Sequence, residues 1–487
     1  MQTDYAETSN IEELISRIGA GLDQFLKFKH EDCWHSEAKW RARLDVPLPM
    51  QGVGIDQVVN DLVTHVIPNG SAVPKPGFTS FITTGATSAS VLASAAAGIA
   101  APQRYHLNAF NLLEDVSLRW LASMCHIGSM EGVYSSGGSV ANLLALGAAR
   151  QFAFEKLGHD AGADGVHIPV HVYASAESHH TIQRSAGVLG IGRRATQVIA
   201  CDSQGRMRVD ALRDAIEKNR NSGIVQMAIV ASAGTTNTGA IDPLKEIGEI
   251  AKENGIWFHV DGAYGLPGIL DERIRHLYDG LEMADSVIVD PHKWLGASVG
   301  IAATFVRDRQ LLYRAFTQEP ADYLEGAVKQ EAEVAPRIEH SLDGFGVPYY
   351  DYGVELSSPC RGVVVWAMLR EIGVEGMTLR VKRHNDMATY IAAAAKEHQN
   401  LELLLEPTLS ICCFRFVAPG VDDLDSLNRQ LHRRLIRENQ NMPSTTQVNG
   451  KLALRPCFVG ARTNQAHAES LVRDVLRIGH DLVREQR

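Results

Sequence analysis

The sequence predicts an α/β protein: a largely parallel sheet covered by helices on both faces, with an N-terminal helical arm and a smaller C-terminal α+β unit. Three observations carry this. Between Phe78 and Trp366, short apolar runs alternate with helical stretches. Before Phe78 the chain offers amphipathic helices and a Pro/Gly linker, and after Ala367 a long helix, three strands and a closing helix. At 487 residues the chain also exceeds what one hydrophobic core usually supports.

The arm spans residues 1–77. Ile, Leu and Phe recur at helical spacing from Ile11 to Phe28, and a second helix is expected near Ile55 to His65. "NGSAVPKPG", Asn69 to Gly77, reads as a linker. Helices placed ahead of a core in this way often embrace a second subunit, so a homodimer is expected.

The large unit spans 78–366. "VHVYAS", "ATQVIAC", "VQMAIVASAG", "IWFHVDGAY" and "SVIVD" are β-branched apolar runs that end at polar or glycine positions. "VDALRDAIEKNR" and "PLKEIGEIAKENG" lie between several of them, the latter opening on Pro243 and stopping at Gly255. Such alternation produces parallel strands buried on both faces. Ligands in these sheets bind beyond the carboxyl ends of the strands, which makes strand-end residues the candidates. The small unit, 367–487, holds "LELLLE", "LSICCFRFV" and "KLALRPCFVG" between two helices.

Composition narrows the function. Lys+Arg of 47 against Asp+Glu of 57 gives a net charge of −10 without long runs, which argues against nucleic acid or an anionic membrane as partner. The seven cysteines stand singly apart from Cys412-Cys413, with no CxxC, so neither a disulfide scaffold nor a metal site is expected. The N-terminus lacks a basic stretch followed by an apolar core, and the small apolar run from Ser90 to Pro102 is too short for a bilayer. A cytoplasmic location is expected.

Four segment ends carry complementary chemistry. "VYSSGGSVANLLALGAAR" is a Ser/Gly turn feeding a helix, where free N–H groups can hold a phosphate. "ESHHTIQ" places His179 and His180 after a strand. "FHVDGAYG" ends a strand on Asp261, a carboxylate that needs a donor or a cation if buried. "SVIVDPHKWLG" ends the next strand beside Lys293. A phosphate cup, an imidazole, a carboxylate and an amine at one sheet edge are what a pyridoxal phosphate enzyme needs. No GxGxxG opens the first βα unit, which argues against a nicotinamide dehydrogenase.

The spacing of SSGGSxAN, the strand-end histidine, HVDxAY and DPHKW resembles the group II pyridoxal-phosphate-dependent amino-acid decarboxylases, from about Pro76 onward. The resemblance implies the type I fold of pyridoxal-phosphate-dependent transferases, with a seven-stranded sheet, and a homodimer with active sites at the subunit interface. It implies Lys293 as the imine-forming lysine, Asp261 as partner of the pyridine nitrogen, His179 stacked on the ring and Ala263 on its other face. Gly138, Ser139 and His292 would hold the phosphate, with Thr236 nearby. The implied reaction is decarboxylation of an L-amino acid through an external aldimine and a quinonoid. Counting back from the "ELSSPCRGVVVW" segment, with Arg361 as its anchor, assigns proton return to Tyr349 on a polar lid. A tyrosine there favours amine over aldehyde as product. Phe81, Ile82 and Thr84 of "PGFTSFITTGAT" and Tyr105 of "PQRYHLNAFN" would form the substrate pocket. Both segments depart from the family pattern, at Lys75-Pro76 and Leu107-Asn108, which leaves the substrate open. Phe81, Ile82 and Tyr105 suit an aromatic or apolar side chain, while Arg104 and His106 suit an acidic one. A lyase or aldolase, or a decarboxylating aldehyde synthase, would use the same lysine, aspartate and histidine.

Overall fold

The apolar runs become strands of two sheets in the computed structural model, which describes residues 10–29, 36–101, 109–317 and 347–485. In chain order the strands are β1 (Phe78–Thr79), β2 (Glu131–Ser135), β3 (Val170–Ser175), β4 (Thr196–Ile199), β5 (Val225–Ser232) and β6 (Trp257–Asp261). They continue with β7 (Ser286–Val289), β8 (Ala302–Val306), β9 (Leu401–Leu405), β10 (Cys413–Phe416), β11 (Met442–Val448) and β12 (Lys451–Arg455). The large sheet has seven strands in the order β2-β8-β7-β6-β5-β3-β4. Strand β8 runs antiparallel to both neighbours, and the remaining pairs are parallel.

The central strands are apolar on both faces because helices cover both. Val230, Val260 and Val287 are fully buried, and each stabilises the sheet by roughly 1.5–3 kcal/mol through leaving water. The helix Gly138–Glu155 presents Ala141 and Ala145 to Ala263, Ile288 and Ala302, so its backbone approaches the sheet centre closely. That approach brings the helix N-terminus to the carboxyl ends of β6 and β7.

Two features cross the expected unit boundaries. Strand β1, the first element after the linker, pairs in parallel with β11 of the small sheet, Phe78 opposite Met442. The small sheet therefore has five strands, β1-β11-β12-β10-β9. The boundary expected at residue 366 falls inside one helix, Gly362–Glu397, kinked at Gly373 (φ 65°). In the arm, Asn10 caps the helix Ile11–Phe25 by accepting from the Glu12 N–H at 3.2 Å. Among the described residues no helix is long and apolar enough to cross a membrane.

Candidate active site

Beyond the carboxyl ends of β5, β6 and β7 lies a cavity of about 380 Å³. Its lining includes Gly138, Ser139, His179, Thr236, Asp261, Ala263, His292 and Lys293, so every residue expected to hold the cofactor reaches one space.

One end is a backbone cradle. Gly137 has φ 151°, which a side chain would resist, and its carbonyl accepts the Val140 and Ala141 N–H groups at 2.9 Å each. The Gly138 and Ser139 N–H groups occupy the first helical positions, which have no intrahelical acceptor, and the helix dipole favours an anion there. A Cβ on Gly138 would lie 2.6 Å from Asp290 Oδ2, so only glycine fits. His292 donates from Nδ1 to the Ile301 carbonyl at 2.6 Å, which orients its other nitrogen, Nε2, 3.9 Å from Asp290.

Lys293 Nζ lies 2.9 Å from Asp290 Oδ2. Burial works against the ammonium, but the charges of Asp290 and Asp261 more than offset it and hold the lysine pKa above its ordinary value. Asp290 is almost fully buried, and its Oδ1 has no hydrogen-bond partner among the described residues.

Asp261 accepts at Oδ1 from the Ala263 N–H and at Oδ2 from Asn142 Nδ2, both at 3.1 Å. His179 lies against His180, ring centres 4.1 Å apart and tilted by 36°, and contacts Thr181 Oγ1 through Nδ1 at 2.9 Å. Burial lowers the His179 pKa, opposed by the Asp261 charge and assisted by His180 and Lys293. Behind Asp261, His259 bonds Asn142 Oδ1 through Nε2 at 2.8 Å and Ser286 Oγ through Nδ1 at 2.9 Å. Burial pushes the His259 pKa down to about 4.

The mouth of the cavity opens into a second space of about 620 Å³ bordered by Phe81, Ile82, His180, Asn237, Thr446 and Arg455. Phe81 is exposed and sits at φ 57°, unusual for an aromatic residue. Arg455 donates to the carbonyls of Phe81, Thr236 and Asn237, tying three rim segments together. Arg361 donates through Nε to the Gly300 carbonyl at 2.9 Å, on the cavity's other rim.

Two expected residues, Tyr349 and Thr84, do not line these spaces. Tyr349 is fully buried with its hydroxyl 3.5 Å from Asp115 Oδ1 and its ring near the Arg309 guanidinium, because the tyrosine cluster 349–352 packs as a short helical turn under the sheet edge. Thr84 is buried, its hydroxyl donating to the Gly85 carbonyl and accepting from the Ala461 N–H. Tyr105, with Arg104 and His106, lies outside the described residues, as does most of the expected lid. Sequence reasoning in turn assigned no role to Asn142, Thr181, His259, Asp290 and Arg455. Two of these were visible as spacing: His259 shares a strand face with Asp261, and Asn142 lies one helical turn beyond Gly138.

The set fits pyridoxal phosphate: a cradle that a Cβ would fill, an acceptor-only carboxylate opposite, a small Ala263 face and an amine between them. Fold and site together define a pyridoxal phosphate enzyme of the seven-stranded type I architecture. A family profile described as "Pyridoxal-dependent decarboxylase conserved domain" matches residues 38–417. An aromatic-L-amino-acid decarboxylase of Bacillus atrophaeus is 31% identical over 356 residues, 72% of this chain and 69% of the relative. The human cysteine sulfinic acid decarboxylase is 28% identical, over 77% of this chain and 76% of the relative. A 4-hydroxyphenylacetaldehyde synthase of Rhodiola rosea is 24% identical, over 89% of this chain and 87% of the relative. The crystal structure of Oryza sativa TDC with PLP and tryptamine matches the fold with a TM-score of 0.85 at 22% identity, covering 98% of this chain and 99% of that one. The chain belongs to the pyridoxal-dependent, group II amino-acid decarboxylase family, and it is a pyridoxal-phosphate-dependent amino-acid decarboxylase.

Proposed function

We propose that this decarboxylase acts on an L-amino acid with an aromatic or apolar side chain and releases CO2 and the amine. The observation that carries the substrate class is Arg455. It is the arginine of the described mouth, and four of its five N–H hydrogens are committed to the Phe81, Thr236 and Asn237 carbonyls and to Ser444, leaving one, too few for a bidentate contact with an acidic side chain. Phe81 and Ile82 border the same opening and offer apolar surface.

In this reading Gly138 and Ser139 hold the phosphate through their N–H groups, with His292 beside them. Asp261 would pair with the pyridine nitrogen, and His179 and the small Ala263 would flank the cofactor. Lys293 supplies the amine that anchors the cofactor, and Thr236 closes the wall. Bound pyridoxal phosphate supplies an electron sink for the bond pair freed as CO2 leaves. Burial of the pocket disfavours the charged substrate carboxylate relative to neutral CO2, which lowers the barrier. Tyr349 has no part in this assignment, because its hydroxyl faces Asp115.

The same reading makes the chain a homodimer. Val91, Leu92 and Ile99 on the helix Ser88–Ala100, Leu48 and Met50 of the arm, and Val299 on the cavity rim are exposed apolar residues that a second copy would cover. Light scattering tests the dimer. The free cysteines support a reducing compartment, the cytoplasm.

A panel of 1-carboxyl-labelled amino acids, assayed for CO2, amine and aldehyde, tests the function. Aromatic or branched substrates are expected to lead acidic ones by at least about ten-fold in kcat/KM, the size of one well-made charge contact. Preferential turnover of an acidic substrate, or aldehyde in place of amine, would overturn the proposal.

A further inference from the structure

We propose that Asn142 is a positioning residue that couples Asp261 to His179 and, through Thr181, fixes His179 in its Nε2–H form. The inference rests on the cavity being the cofactor site.

Asn142 is fully buried one turn into the helix that carries the phosphate cradle. It commits both amide hydrogens, one to Asp261 Oδ2 at 3.1 Å and one to Thr181 Oγ1 at 3.2 Å. Its oxygen faces His259 Nε2 at 2.8 Å. The amide has one workable orientation. Ionised Asp261 only accepts, so it must meet the NH2 group; the oxygen then meets His259, whose Nε2 must carry a hydrogen.

The direction of the chain propagates. The Thr181 hydroxyl, already accepting from Asn142, gives its own hydrogen to His179 Nδ1 at 2.9 Å. The Thr181 backbone N–H also points at that nitrogen, at 3.3 Å. Two donors on Nδ1 exclude a proton there, so the neutral ring carries it on Nε2. A ring with Nε2–H presents a donor to a carboxylate oxygen in the cavity, whereas the other tautomer would present a lone pair. One buried amide thus sets both the ring-nitrogen partner and the stacking imidazole, two residues on different elements that must act together.

Three variants of the holoenzyme test this: Thr181→Val, which keeps shape and loses the hydroxyl, Thr181→Ser, which keeps the hydroxyl, and Asn142→Leu. Cofactor affinity and the visible absorbance are measured without substrate, and kcat and KM with it. Thr181→Val is expected to bind cofactor normally and to lose about ten-fold in kcat, with Thr181→Ser restoring most of it, as for loss of one buried hydrogen bond in a transition state. Asn142→Leu is expected to shift the pH at which the visible band titrates by at least about 0.5 unit, since a donor to Asp261 is gone. Wild-type kcat in Thr181→Val, equal losses in the Val and Ser variants, or an unshifted band in Asn142→Leu would each overturn the coupling. A wild-type enzyme that decarboxylates no amino acid would overturn the proposed function instead, while the substrate-free band of Asn142→Leu would still test the inference.

Discussion

The Lys293 ammonium sits 2.9 Å from the buried carboxylate of Asp290, three residues earlier in the chain. The pair holds the lysine pKa above its ordinary value, although burial alone would lower it. Only the neutral amine attacks an aldehyde, so cofactor loading is expected to accelerate as pH rises toward that pKa. Replacing Asp290 with Asn removes the stabilising charge. The rate at which the apoprotein gains visible absorbance should then reach its plateau at lower pH. An unchanged pH profile would show that the ion pair does not control the amine.

The cradle makes a second expectation. Gly138→Ala places a methyl group 2.6 Å from Asp290 Oδ2 and 3.2 Å from its Cγ. Cofactor affinity should fall by at least about ten-fold, an energy typical of overpacking at a closely fitted site. Gly128→Ala, at an exposed position where the nearest atom lies 3.9 Å from the new Cβ, is the control. Equilibrium dialysis of the cofactor compares the two.

Tyr349 is buried against Asp115 and Arg309 and away from the cavity lining. Tyr349→Phe should therefore leave the ratio of amine to CO2 unchanged and cost less than about 1.5 kcal/mol of stability, the worth of one hydrogen bond. Aldehyde among its products would return the tyrosine to the chemistry.

His384 joins the turn after β7 to the segment after β12 by accepting from Trp294 Nε1 at 2.9 Å and bonding the Gly460 carbonyl through Nε2 at 3.1 Å. Burial, together with Arg383 and Arg380, pushes its pKa from 6.5 down to about 3. Unfolding therefore takes up a proton between those values. The stability His384 contributes is complete above pH 6.5 and declines as pH falls toward 3. The destabilisation caused by His384→Gln should shrink by about 2 kcal/mol between pH 7 and pH 5, read from urea midpoints. A constant difference would mean that the folded ring takes up its proton at the same pH as the unfolded chain.

The residues that announced this site do so because chemistry restricts them. Lys293, Asp261 and the Ser136-to-Ser139 turn sit at strand and helix ends, where the β/α alternation alone places them at one sheet edge. What sequence could not convey was tertiary company. Nothing local joins Phe78 to Met442 or Phe81 to Arg455, because such contacts depend on how the two sheets dock. Tyr349 shows the reverse failure. Counting along a polar segment gave it a place by distance from Arg361, but three neighbouring tyrosines prefer a common apolar environment, and packing took them under the sheet edge. Asn142 and His259 were readable as spacing, yet a buried amide or imidazole acquires meaning only when its partners are known.

Arg455 reaches back 374 positions to hold the Phe81 carbonyl, and β1 waits for β11 before it becomes a strand. The rim of the cofactor cavity is therefore built from segments far apart in the sequence. The cradle and the lysine belong to the large sheet, where β8 must insert between β2 and β7 to bring them together, while the mouth also needs β11 and β12 from the far end of the sequence. Cofactor retention thereby reports on the docking of the two sheets and not on the large sheet alone.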